Sequence, residues 1–208
     1  MIDAKRRDIT LAIEAAVEGG SLSILENGIE LDFWLGQSGF SRAEDILNQI
    51  ENLFERNRLN KKSLKFISTS AGPGSSTGLK IGLSLAKGLS KATGCPFIQT
   101  PVLESLLLIA DKNASGSIIT AIPIGKKLIC WQVFHNPTPF FVQRESQQLS
   151  ATENFINIII NGDFSQAIFH DTVYKFFKLK SINYCTQTLF INAGLNLAKL
   201  LAGKGAVT

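Results

Sequence analysis

Ser70-Ala71-Gly72-Pro73-Gly74-Ser75-Ser76-Thr77-Gly78-Leu79-Lys80 separates an apolar segment, Leu64-Lys65-Phe66-Ile67-Ser68-Thr69, from a long helical pattern that begins near Gly78. A strand that ends in glycines and feeds a helix exposes backbone N–H groups at the positive end of a helix dipole. Such a turn suits an anion, or the close approach of another backbone. Gly72, Gly74 and Gly78 permit tight turns, Pro73 stiffens one of them, and Ser75 or Ser76 supplies the helix cap. The familiar nucleotide loops do not fit. A P-loop needs Gly-x4-Gly-Lys-Ser/Thr, and Gly125-Lys126 is followed by Lys127; the dinucleotide spacing Gly-x-Gly-x-x-Gly is exceeded by one residue between Gly74 and Gly78. Two readings remain: a structural strand–helix turn, or a phosphate or partner site, with Gly72, Gly74, Ser75, Thr77 and Lys80 as the candidate contacts to an anion or nucleotide.

Turning the following helix by about 100° per residue gathers Lys80, Ser84, Lys87 and Lys91 in a narrow arc and leaves most of the remaining girth apolar. An ordinary surface helix has one apolar stripe. This one is expected to touch its own sheet and something else: either a second layer inside the domain or another subunit. Gly78, Gly82 and Ala86 line up at i, i+4 and i+8, and with Leu83 and Leu89 they are the expected partner interface. The lysine row is expected to be solvated, with contact to RNA phosphates as the lesser alternative.

Outward from this point the pattern is regular. Residues 8–16, 21–26 and 29–35 read as strands, the second and third joined by the hairpin signal Asn27-Gly28. Ser41-Arg42-Ala43-Glu44 has the capping-box form, and Ile46, Leu47, Ile50, Leu53 and Phe54 follow at helical spacing. A fourth strand over 64–70, the glycine turn, a helix to about Thr93, a short strand through Gln99 and a helix over 102–112 complete the half. Three meandering strands followed by alternating helices and strands predict a mixed sheet, in the order of the ribonuclease H-like subdomain of actin, sugar kinases and Hsp70 chaperones. Residues 113–116 read as a linker. Beyond it, strands over 117–124, 127–135 and 140–145 repeat the opening, which implies an internal duplication. A helix over 152–160, a strand over 166–169 and helices over 172–177 and 192–201 are expected after that. The expected units are 1–112 and 113–208, the second a degenerate copy with a mixed five-stranded sheet.

With 208 residues, 45% hydrophobic and 18% charged, the chain can bury a sizeable core. Its longest apolar runs fall far short of the roughly 20 residues of a membrane span, and residues 1–7 are charged, so neither a membrane segment nor a secretory signal is expected. Cys95, Cys130 and Cys185 are widely spaced, and the histidines, His135 and His170, are isolated. A disulfide scaffold and a metal site are therefore disfavoured, and a reducing cytoplasm is the expected compartment. The net charge of +4 gathers in Lys5-Arg6-Arg7 and in Arg56, Arg58, Lys61, Lys62 and Lys65, clusters that permit a nucleic-acid or acidic neighbour without requiring one.

Gly72-Pro73-Gly74-Ser75-Ser76-Thr77-Gly78-Leu79-Lys80-Ile81-Gly82 resembles the GPGSFTGLRIG signature of the TsaB (YeaZ) family. The similarity continues through Ala86-Lys87-Gly88-Leu89, Gly94-Cys95-Pro96 and Leu103-Glu104-Ser105-Leu106, and covers about residues 8–110. The resemblance implies an α/β fold of two ribonuclease H-like subdomains of the actin/Hsp70 type. It also implies a non-catalytic partner of the transferase TsaD in making threonylcarbamoyladenosine beside the tRNA anticodon. A TsaE-type ATPase joining the pair, a homodimer when alone, and tRNA reached only through the partner are further expectations of the resemblance. No cofactor and no catalytic or metal-binding residue are expected, with ATP or ADP at the partner interface as the alternative.

Several positions depart from the family pattern. The aspartate usual on the first strand is Glu14, in Ile13-Glu14-Ala15; no histidine stands at 38–41; Ile122-Pro123-Ile124 replaces Asp-Ala-Arg; and Asn161-Gly162-Asp163 replaces Gly-Asp-Gly. An actin-fold ATPase holds magnesium with carboxylates from both halves, so no hydrolysis by the isolated chain is expected. A small actin-fold ATPase or kinase using the glycine turn, and a self-associating paralogue without a role in tRNA modification, stand as the alternatives.

Overall fold

The computed structural model describes residues 8–17, 19–36, 43–110, 116–135 and 143–169. The first sheet has the order β3-β2-β1-β4-β5, from β1 (Ile9–Glu14), β2 (Ser21–Glu26), β3 (Ile29–Leu35), β4 (Leu64–Ser70) and β5 (Phe97–Thr100). β1, β2 and β3 form an antiparallel meander, and β4 and β5 run parallel to β1. Asn27 (φ 52°) and Gly28 (φ 80°) make the tight turn between β2 and β3 that the Asn-Gly pair predicts.

Alternation along the strands divides this sheet into two unlike faces. Leu11, Ile13, Leu22, Ile24 and Ile67 form one face, with α1 (Ala43–Arg56) and α2 (Ser76–Thr93) over it; Ile46, Ile50, Leu53, Phe54 and Ala86 meet them in one core. The opposite face carries a row in register across the whole sheet, Phe33–Ser23–Ala12–Ser68–Ile98. Its middle is small and buried, and its ends, Phe33 and Ile98, are exposed. At the sheet edge, Arg56 near the end of α1 donates to the Asp32 carboxylate and to the Phe33 carbonyl, tying α1 to β3.

The second sheet repeats the winding. β6 (Ser117–Ile124) pairs antiparallel with β7 (Leu128–His135), and β10 (Gln166–Phe169) lies parallel to β6 as β4 does to β1. The third strand is broken in two, β8 (Gln143–Arg144) and β9 (Gln148–Ala151), and both pair with β7. α4 (Thr152–Asn161) then packs Phe155, Ile156 and Ile159 against Ile119, Ile129 and Phe169. The result is two mixed five-stranded sheets in a duplicated α/β fold, the second with a broken strand where the first has a continuous one.

The structure alters three expectations. β9 is absent from the sequence reading, and the strand expected over 140–145 is described only at Gln143–Arg144. The helix expected over 102–112 is a single turn, α3 (Val102–Ser105), followed by a 3-10 turn at Leu106–Ile109. Leu106, Leu107 and Ile109 of that run are drawn into the core shared with the second sheet, while Leu108 stays exposed. Val102, Leu103 and Leu106 join Val17 with Ile118, Ile122, Phe134 and Ile168 in a core shared by the two sheets. The Ser41 cap, the linker at 113–115 and the helices expected over 172–177 and 192–201 lie outside the described residues.

Candidate functional site

The glycine turn crosses the ends of β1, β4 and β5, where Glu14, Ser70 and Thr100 stand side by side. Three of its backbone groups are engaged by neighbouring backbone. Ala71 N donates to Thr100 O at 2.8 Å, Val102 N to Gly72 O at 2.9 Å, and Ser75 N to Ala16 O at 2.7 Å. Ser75 is the N-cap of α2, its hydroxyl accepting from Gly78 N at 3.3 Å. The helix thus begins at Ser76, two residues before the expected Gly78.

The glycines are explained by how closely this turn lies on the Ala15-Ala16 segment after β1. A Cβ at Gly74 would sit 2.6 Å from the Ala16 Cβ, and one at Gly78 would sit 1.9 Å from the Ala15 carbonyl oxygen. A Cβ at Gly82 would meet Thr69 Oγ1 at 2.7 Å. Of the two sequence readings, the close approach of backbone accounts for Gly74 and Gly78. Gly72 has φ 93°, a left-handed conformation that favours glycine. Thr77 and Lys80 are exposed on the first turn and a half of the helix, away from the strand ends.

This geometry corrects the expected interface. Gly78, Gly82 and Ala86 are buried against the protein's own sheet and offer nothing to a second helix. Their small size serves the approach of α2 to β1 and β4, the same row of minimal side chains turned inward. Leu89, with Ile81 and Leu85, packs against that core as well. Of the expected interface residues, Leu83 alone is half-buried without belonging to a described core cluster. The outward face of α2 consists of Thr77, Lys80, Ser84, Lys87, Gly88 and Lys91, so it is polar rather than apolar.

Glu14 is almost wholly enclosed, 1% exposed. Its Oε1 accepts from the Ala16 and Val17 amides, the latter at 3.0 Å. Burial pushes the carboxyl above its usual range, and the amide hydrogen bonds with the nearby Ser70 hydroxyl offset this only in part. Oε2 and Ser70 Oγ both lack a closed hydrogen bond, as do Thr69 Oγ1 under Gly82 and Ser23 Oγ on the polar face. Sequence reasoning singled out Glu14 but missed these hydroxyls. The alternating Ser21/Ser23 and Ser68/Ser70 pairs were the available signal for a polar sheet face. Among the described residues, no group of three or more His, Cys, Asp or Glu side chains is placed to hold a metal ion. Among the same residues, no helix is long and apolar enough to cross a membrane.

The family model described as TsaD, tRNA N6-adenosine threonylcarbamoyltransferase, matches residues 41–135. Two tRNA threonylcarbamoyladenosine biosynthesis proteins TsaB from Buchnera aphidicola are similar in sequence. The protein from the Acyrthosiphon pisum strain is 28% identical over 129 residues, 60% of this chain and 56% of its own. The protein from the Baizongia pistaciae strain is 26% identical over 90 residues, 41% of this chain and 40% of its own. Over these stretches the chain is similar to the TsaB (YeaZ) family.

The matched stretches span about half the length of those TsaB relatives or less. Solved structures supply the fold. YeaZ from Pseudomonas aeruginosa superimposes with a TM-score of 0.67 at 16% identity, over 96% of this chain and 94% of that one. Component A of (R)-2-hydroxyglutaryl-CoA dehydratase from Acidaminococcus fermentans gives 0.60 at 11%, over 97% and 100%. The duplicated α/β fold expected from the order of elements is the one observed, and the glycine signature lies at a close backbone crossing.

Proposed function

We propose that this chain serves the threonylcarbamoyladenosine modification of tRNA as the non-catalytic partner of a TsaD-type transferase. The observation that carries the reading is the 129-residue similarity to a TsaB protein. The chemistry of the strand ends supports it. The glycine turn lies closely on Ala15-Ala16, and Glu14 is buried and bonded to backbone amides, so its carboxyl is turned away from solvent. A chain whose glycine turn is packed on its own backbone contributes by holding another subunit. The transferase docks along the outward side of α2, where half-buried Leu83 flanks the polar row as the apolar anchor and Gly88, with nothing within 4 Å of its Cβ position, admits close approach. A TsaE-type ATPase and self-association through the same face belong to this reading, as does a cytoplasmic location.

Co-expression with a TsaD-type subunit tests it. The wild type is expected to co-purify with that subunit and to restore threonylcarbamoyladenosine in cells depleted of TsaB. Leu83→Glu is expected to lose both while melting like the wild type. A monodisperse monomer with no affinity for the transferase would sink the proposal.

A further inference from the structure

The basic cluster between Arg56 and Lys65 is not uniform. Arg56 is held by Asp32, Lys61 by Glu51 at 3.2 Å and Lys65 by Asp8 at 2.7 Å. Arg58 and Lys62 make no ion pair among the described residues, although Glu55 lies one turn before Arg58. These two uncompensated cations share a single place. They line an open cavity of about 820 Å³ with Leu59, Asn60, Lys61, Ala92 and Thr93. It lies at the C-terminal ends of α1 and α2, at the far end of the helix from the glycine turn. Lys91 precedes the lining residues of α2, is exposed, and also makes no ion pair among the described residues.

We infer that this cavity binds the phosphate backbone of RNA, through Arg58 and Lys62 with Lys91 beside them. The inference rests on the reading of the chain as a tRNA-modification subunit, and goes beyond the expectation that tRNA is reached only through the partner. The lining favours RNA over a protein. Protein interfaces gain affinity from buried aromatic and aliphatic anchors; here Leu59 is the one large apolar residue, half-buried, among polar and cationic neighbours. A phosphodiester chain needs what the cavity offers: spaced positive charge, the Asn60 side-chain amide and room. Arg58 stands at φ 50°, just after α1, where Arg58 N donates to Glu55 O and Leu59 N to Phe54 O, so its side chain springs from a fixed turn. The helix C-termini hold cations at this end and offset part of their attraction for a phosphate, so binding rests on the Arg58 and Lys62 side chains.

The test is a fluorescence-anisotropy titration of an unmodified tRNA transcript over a salt series, with the full chain alone and in complex with a TsaD-type subunit. The double variant Arg58→Asn/Lys62→Gln keeps a residue that tolerates the left-handed turn. It is expected to weaken binding and to reduce the slope of log K against log salt by about 1 to 2, roughly one for each phosphate no longer neutralised. The control Lys126→Gln/Lys127→Gln, which removes exposed cations from the β6–β7 turn, is expected to leave both unchanged. Equal affinity and slope in wild type and Arg58/Lys62 variant, an equal fall in the control, or no tRNA binding by the wild type in either form would each overturn the inference. So would loss of the transferase by the Arg58/Lys62 variant with tRNA binding retained, which would mark an acidic protein surface as the occupant. Co-purification of the wild type with the transferase stands or falls separately.

Discussion

Glu14 shows how a single buried side chain can impose a stability constraint. The strand end that bears it is where the family usually carries an aspartate. Here the longer side chain folds back onto the Ala16 and Val17 amides. Because burial raises its pKa above 4.5, the folded chain keeps a proton that the unfolded chain releases. Stability from this group is therefore full below pH 4.5 and falls as pH rises through the folded value. Glu14→Gln preserves the acceptor for both amides and aims an N–H toward Ser70. Thermal melts from about pH 4 to 8 should show the variant with a flatter pH dependence and a higher Tm than the wild type at the alkaline end. Parallel curves would show that Glu14 sits in the folded chain with an ordinary pKa.

At the scale of the element, α2 is defined by which of its glycines have a neighbour. Gly78, at the first turn, lies over the Ala15 carbonyl, whereas Gly88 faces open space in mid-helix. Alanine at 78 cannot be accommodated unless the helix start lifts from β1, at a cost of about 3 kcal/mol or more. Alanine at 88 restricts the unfolded chain and fills nothing, so a gain of about 0.5–1 kcal/mol is expected. Denaturant unfolding of the two variants measures the contrast. Similar shifts in both would contradict the crossing described above. The same helix explains why its apolar girth is misleading in one dimension. Ile81, Leu85 and Leu89 reach down past the small row into the core, and the lysines take the face that remains.

For the molecule as a whole, the link between the sheets matters most. Leu103 is fully buried in the core shared by Val17 and Val102 on one side and Ile118, Ile122 and Phe134 on the other. The Leu103 carbonyl also accepts from Thr120 Oγ1 at 3.0 Å, and Arg144 reaches across to Glu104 at 2.6 Å. Leu103→Ala is expected to cost about 2–5 kcal/mol. Trp34 lies in the first sheet and Trp131 in the second, so Trp34→Phe and Trp131→Phe backgrounds report each sheet separately. Both probes should move to lower denaturant together. A shift seen by one tryptophan alone would mean that the halves unfold independently.

Local pattern was enough for much of this architecture. The Asn27-Gly28 turn, the alternating strands and the stripe Ile46–Ile50–Leu53 made the first sheet and α1 legible, because hairpin chemistry and hydrophobic period act over a few residues. The glycine turn was legible as a tight crossing, with its object left open between an anion and a backbone. Which side of α2 would be buried was not legible, since a row of small residues serves equally well toward a sheet or toward a second helix. Only the parallel placement of β4 beside β1, which brings Ala15 under Gly78, decided it. Likewise the run of charges from Arg56 to Lys65 was visible in one dimension. Pairing with Asp8, Asp32 and Glu51, residues brought in from elsewhere in the chain, determined which two charges have no ion pair among the described residues, because compensation depends on distance in space and not along the chain.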